Sequence, residues 1–70
     1  MEFERVYNNG IYKELIGYKF NGGFITKEAH LSYHGNKITD GWSVEEHYLG
    51  KRLFYAGTLK EAKDWIIKNF

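Results

Sequence analysis

Glycine- and asparagine-rich turn signals interrupt this chain at intervals of about one strand length. They lie at residues 8–10, 21–23, 34–37, 40–41 and 49–51. Asn-Gly and Asp-Gly pairs tolerate positive φ angles and close tight hairpins. The residues between the signals are rich in β-branched and aromatic types, which strands favour. This pattern predicts a small antiparallel sheet of about four or five strands.

The predicted strands cover residues 3–7, 11–20, 24–34, 42–49 and 52–56. Gly17 interrupts the long second run, where we expect a bulge or bend. The third run alternates as a strand does, although its residues from Thr26 onward also suit a helical turn. The fourth strand is expected to start after the Asp40-Gly41 turn and to form a hairpin with the fifth.

The clearest signal is a helix start at Thr58. Thr58 and Glu61 fit the capping box, in which each side chain bonds the backbone N–H of the other residue. An apolar stripe then follows helical spacing at Leu59, Ala62, Trp65, Ile66 and Phe70. We expect one helix from about residue 59 to about residue 69, with Trp65 as its main anchor on the sheet and Ile67 outside the stripe.

These elements predict one α+β domain over residues 1–70, a small antiparallel sheet packed on a single C-terminal helix. The composition of 43% hydrophobic and 19% aromatic residues is too apolar for a disordered chain. The absence of Cys excludes a disulfide framework and a thiol nucleophile. There is neither an apolar run of about 18 residues nor a secretory signal, so we expect a cytoplasmic protein without a membrane span.

The polar residues form no recognisable catalytic or metal-binding motif. Glu45, Glu46 and His47 are adjacent, but a strand would place Glu45 and His47 on one face and Glu46 on the other. His30 and His34 would be about 13 Å apart on a strand, too far to share an ion. No nucleophile elbow, zinc-protease motif or phosphate loop is present. The sequence therefore predicts no enzyme activity, no metal and no cofactor.

The aromatic residues exceed what one small core needs, which favours a binding role. The expected contact residues are Tyr12, Tyr18, Lys51, Arg52 and Phe54. Tyr, Phe and Arg are typical of protein interfaces, so we expect a protein-directed module whose partner is another protein or a second copy in a homodimer. Nucleic-acid binding through an aromatic and basic sheet is the alternative, although a net charge of +1 weakens it. A purely structural homo-oligomer is a third possibility.

The C-terminal part also carries a family resemblance. Residues 42–54 and the segment Thr58-Leu59-Lys60-Glu61-Ala62 resemble the ending of many small uncharacterised phage and mobile-element proteins, in which a tryptophan-bearing hairpin leads into such a helix. The chain is also similar to the three-stranded arm-binding domains of phage-type integrases, but it lacks their strongly basic sheet. The first resemblance implies a small cytoplasmic accessory protein that inhibits a host or defence enzyme by binding. It assigns no functional residue.

Overall fold

The computed structural model describes residues 1–11 and 13–70, and within them it confirms the predicted α+β fold. The elements are β1 (Glu4–Tyr7), β2 (Leu15–Phe20), β3 (Gly23–Leu31), β4 (Lys37–Glu45), β5 (Arg52–Ala56) and the helix α1 (Leu59–Asn69). The strands form one antiparallel sheet in the order β1-β2-β3-β4-β5. Each strand therefore pairs with its neighbours in sequence.

The third run of the sequence is a strand, so the competing helical turn is not formed. The predicted turn at Asp40-Gly41 is wrong, because both residues lie inside β4. Glu28 pairs with Gly41 and Ala29 with Thr39, which leaves Asp40 as the extra residue of a bulge. The β3–β4 turn lies earlier, where Ser32 N–H donates to Asn36 O at 2.7 Å. A bulge thus accommodates the Asp-Gly pair without ending the strand.

Three further predicted boundaries shift by several residues. β2 starts at Leu15 and not at residue 11, β3 ends at Leu31 and not at residue 34, and β4 ends at Glu45 and not at residue 49. The β1–β2 pairing changes register next to Gly17, as expected there. A Cβ at Gly17 would overlap the Ile25 carbonyl oxygen, so glycine allows the neighbouring strand to approach closely.

The apolar core lies between α1 and one face of the sheet. Tyr18, Ile25, Val44 and Phe54 are paired in register across β2 to β5 and share this face, which we call the helix face. Ile25 and Val44 are completely buried there. The other side of the sheet, which α1 does not cover, is called the open face.

The helix α1 has the predicted bounds and the predicted N-cap. Thr58 Oγ1 accepts a hydrogen bond from Glu61 N–H at 3.2 Å, but the Glu61 carboxylate accepts from the Thr58 hydroxyl and does not reach the Thr58 N–H. Ala62 and Ile66 are the most deeply buried helix residues. Trp65 is only half-buried, because it lies at the flank of the stripe and stacks on Phe54 with ring centroids 4.8 Å apart. Trp65 is therefore not the main anchor.

The β3–β4 hairpin extends beyond the rest of the sheet. The β2 pairing with β3 reaches only to Thr26, and the β5 pairing with β4 reaches only to Trp42. Residues 28–41, called the ribbon, therefore have no further strand beside them within the described chain. The ribbon contributes to the elongated shape of 38 × 24 × 20 Å.

Candidate interaction surface

The five sequence-predicted contact residues do not share one surface. Tyr18 is only 8% exposed and belongs to the core on the helix face. Phe54 is half-buried on the same face beneath Trp65. Lys51 is exposed just before β5, and Arg52 is on the open face. Tyr12 lies outside the described residues. Arg52 and Phe54 lie on opposite sides of the sheet because Val44 pairs with Phe54 and Glu45 with Arg52, which leaves Leu53 as the extra residue of a bulge.

Arg52 is held in place by its neighbours on the open face. Its Nε donates to Ser43 Oγ at 2.9 Å, and its Nη2 donates to the Glu28 carboxylate. The guanidinium also lies 4.9 Å from the centre of the Tyr55 ring. Pairing with Glu28 offsets the charge of Arg52. Lys51 thus contributes an exposed cation next to a guanidinium that already has a partner.

A buried carboxylate lies on this same open face. Glu45 is only 6% exposed, and its Oε1 accepts hydrogen bonds from Thr26 Oγ1 at 2.6 Å and from Leu49 N–H at 2.9 Å. Leu49 belongs to the β4–β5 loop and has a positive φ of 57°. In the same loop, the Tyr48 ring packs on Phe24 with centroids 5.0 Å apart. The open face is therefore partly covered by the chain's own loop.

The β4–β5 loop separates His47 from Glu45, although a continuous strand would have placed both on one face. Because β4 ends at Glu45, strand alternation does not place Glu45 and His47 side by side. His47 is exposed, and its Nε2 lies 3.8 Å from the Glu46 carboxylate. Among residues 1–11 and 13–70, no group of three or more His, Cys, Asp or Glu residues is placed to hold a metal ion.

The ribbon carries large apolar side chains that remain exposed. Tyr33 is 99% exposed, Leu31 is 70% exposed and Ile38 is 45% exposed. Tyr33 lies in the turn, whose backbone is fixed by the hydrogen bond from Ser32 N–H to Asn36 O and by one from Gly35 N–H to Ser32 O at 2.9 Å. The ribbon therefore presents apolar groups on a hydrogen-bonded support.

The charged groups of the ribbon are paired with each other or with nearby segments. His30 Nδ1 lies 2.7 Å from the Asp40 carboxylate. Lys37 contacts the Glu14 carboxylate, which comes from the segment between β1 and β2. These pairs leave little free positive charge beside the apolar tip, which is unfavourable for binding phosphate groups.

Sequence reasoning missed this tip, because it treated residues 34–41 as two turns and a connection. The β-branched pair Ile38 and Thr39 was the available signal for a strand there. With Ile38 in a strand, the exposed residues of the preceding turn are recognised as the end of a hairpin.

Comparison of the chain with protein-family models, with curated proteins and with solved structures finds no match in any of the three. In the described part of the chain, no helix is both long and apolar enough to cross a lipid bilayer.

Proposed function

We propose that this chain is a non-catalytic binding module whose partner is another protein, and that it contacts this partner through the apolar tip of the ribbon. The observation that supports the proposal is the exposure of Leu31 and Tyr33 at the end of a hairpin that extends from the sheet. Exposed apolar and aromatic side chains that lie together on a surface are typical of protein interaction sites. The contact residues proposed from the sequence are thereby revised in favour of the ribbon.

Protein is favoured over nucleic acid by the charges around the tip. Lys37 is paired with Glu14, and Arg52 is paired with Glu28. A phosphate-binding surface needs cations that are free to displace counterions. An apolar tip flanked by neutralised charges fits an apolar pocket on a protein better than it fits a polyanion.

The family resemblance of the C-terminal third supports a narrower form of the proposal. In this form the module is a phage-like accessory protein that acts in the cytoplasm and inhibits a host or defence enzyme by occupying a site on it. The chain itself performs no chemistry in this proposal. It acts only by burying its ribbon against the target.

The test compares two tagged variants in a pull-down from source cells after nuclease treatment. Leu31→Ser with Tyr33→Ser removes the apolar tip, and we expect at least about a tenfold loss of captured partner, since interface hot spots each contribute more than about 1 kcal/mol. The matched control is Ile67→Ser, because Ile67 is also strongly exposed but lies on the helix. This control should capture the partner as the unmodified chain does.

Two results would contradict the proposal. In the first, the tip variant and the control capture the same protein equally well. In the second, only nucleic acid is recovered, it disappears after nuclease treatment, and its binding weakens steeply with salt. The melting temperatures of both variants should stay close to that of the unmodified chain, because the substituted side chains are exposed.

A further inference from the structure

The edge strand β5 offers an unpaired and apolar border of the sheet. β5 pairs with β4 on one side, and in the described chain no strand lies on its other side. Its exposed side chains Leu53 and Tyr55 are both apolar in large part. The opposite edge, β1, instead carries the exposed charges of Glu4 and Arg5, which protect an edge from further pairing. Arg52 at the start of β5 is also exposed, but it is paired with Glu28, and residues 53–56 carry no charge.

We infer that β5 is the interface between two copies of this chain, whose β5 strands pair antiparallel around a two-fold axis at Phe54. In this register Leu53 of each copy lies opposite Tyr55 of the second copy. Tyr55 pairs with Ser43 on the open face, and Leu53 is the extra residue of a bulge between Arg52 and Phe54. The pairing therefore covers exposed apolar groups and unpaired backbone groups together.

The helix α1 carries charges that suit the same two-fold axis. Lys63 lies over the rings of Phe3 and Tyr18, so that side of the helix faces β1 and β2. Trp65 stacks on Phe54 in β5, so its side of the helix faces the β5 edge.

Glu61 and Lys68 lie on the same flank as Trp65, about one turn away on either side. When two antiparallel helices meet with Trp65 near the axis, Glu61 of one copy approaches Lys68 of the other, and the reverse pair forms as well. The flanks of the two copies therefore meet with opposite charges facing each other.

The first test is a charge-reversal cycle followed by sedimentation equilibrium over a range of protein concentrations. The unmodified chain should show a reversible shift from the 8.3 kDa chain mass to twice that mass. Glu61→Lys and Lys68→Glu should each weaken dimerisation by about tenfold, because each creates two like-charge contacts across the axis. The double variant restores opposite charges and should recover most of the lost affinity.

The second test uses the absence of Cys from the natural chain. A chain with Leu53→Cys is mixed with a chain carrying Tyr55→Cys and oxidised mildly. We expect a disulfide-linked heterodimer in the mixture and much less covalent dimer from either variant alone. Ile67→Cys is the control, since it is exposed on the helix away from the β5 flank and should not cross-link to itself.

A monomer mass at all concentrations would overturn the inference. It would also be overturned by a dimer that tolerates both single charge reversals, or by a mixture that cross-links no better than its separate components. None of these results bears on the ribbon, which lies outside β5. A monomer that still captures a protein through Leu31 and Tyr33 would contradict this inference and leave the proposed function intact.

Discussion

At the scale of single residues, Glu45 shows how the open face of the sheet is organised. Its buried carboxylate accepts one hydrogen bond from the Thr26 side chain and one from the Leu49 backbone. A carboxylate removed from water is costly unless hydrogen bonds replace those lost to the solvent. The second bond comes from the β4–β5 loop, so Glu45 connects that loop to the sheet.

We therefore expect Glu45→Ala to destabilise the fold by about 1–3 kcal/mol, because it leaves the Leu49 N–H and the Thr26 hydroxyl without their partner. Glu46→Ala is the matched control. Its side chain is half exposed in the next position, so the change should stay within about 0.5 kcal/mol. Urea unfolding monitored by tryptophan fluorescence measures both values. Equal midpoints for the two variants would show that the Glu45 hydrogen bonds add no net stability.

The sequence alone did not predict this role for Glu45. Alternation with Val44 predicts its side of the strand correctly, but the predicted strand continued to residue 49 and therefore gave no loop to cover Glu45. The end at Glu45 depends on a loop in which Leu49 adopts a positive φ angle. Leucine rarely adopts such an angle, so the turn signal at residues 49–51 does not indicate that Leu49 would be the residue to adopt it.

At the scale of elements, α1 was the most predictable part of the chain. Its N-cap, its bounds and the exposure of Ile67 all follow from local sequence, because capping and helical spacing involve residues at most four positions apart. The depth of each side chain does not follow from spacing alone. Trp65 and Ile66 are both in the apolar stripe, and only the sheet beneath them decides that Ile66 is the more deeply buried.

The adjacent isoleucines of α1 provide a matched pair of substitutions. We expect Ile66→Ala to cost about 2–5 kcal/mol, since it opens a cavity at a completely buried position. Ile67→Ala should cost no more than about 0.5 kcal/mol, because the side chain is mostly exposed. Chemical denaturation of the two variants at one protein concentration compares them directly. A large loss for Ile67→Ala would mean that this residue is covered by another molecule.

At the scale of the whole molecule, the ribbon is supported differently from the rest of the sheet, which together with α1 we call the body. The body has α1 packed on the helix face, whereas residues 28–41 rely on pairing between two strands. An isolated two-stranded hairpin is only marginally stable in water. The ribbon is therefore the part of the sheet that opens most easily.

Hydrogen exchange can compare the two parts within one strand. The amide protons near Ile38, in the ribbon half of β4, should exchange faster than those near Val44 in the body half, because local opening of the ribbon leaves the core intact. Mass spectrometry of peptides from the two halves measures this difference. Equal protection of the two halves of β4 would contradict the division into body and ribbon. Protection near Ile38 that increases when the partner is added would locate the bound surface on the ribbon.

The order β1-β2-β3-β4-β5 also has a consequence for how the chain assembles. Every strand finds its neighbour within one hairpin, so the sheet can grow in the order of synthesis and needs few contacts between distant parts of the sequence. The helix follows all of the strands and supplies Ala62 and Ile66 to the core. During translation the sheet is thus complete before its apolar face has a cover. The interval before α1 emerges is the period in which a nascent chain is most exposed to aggregation and to chaperones.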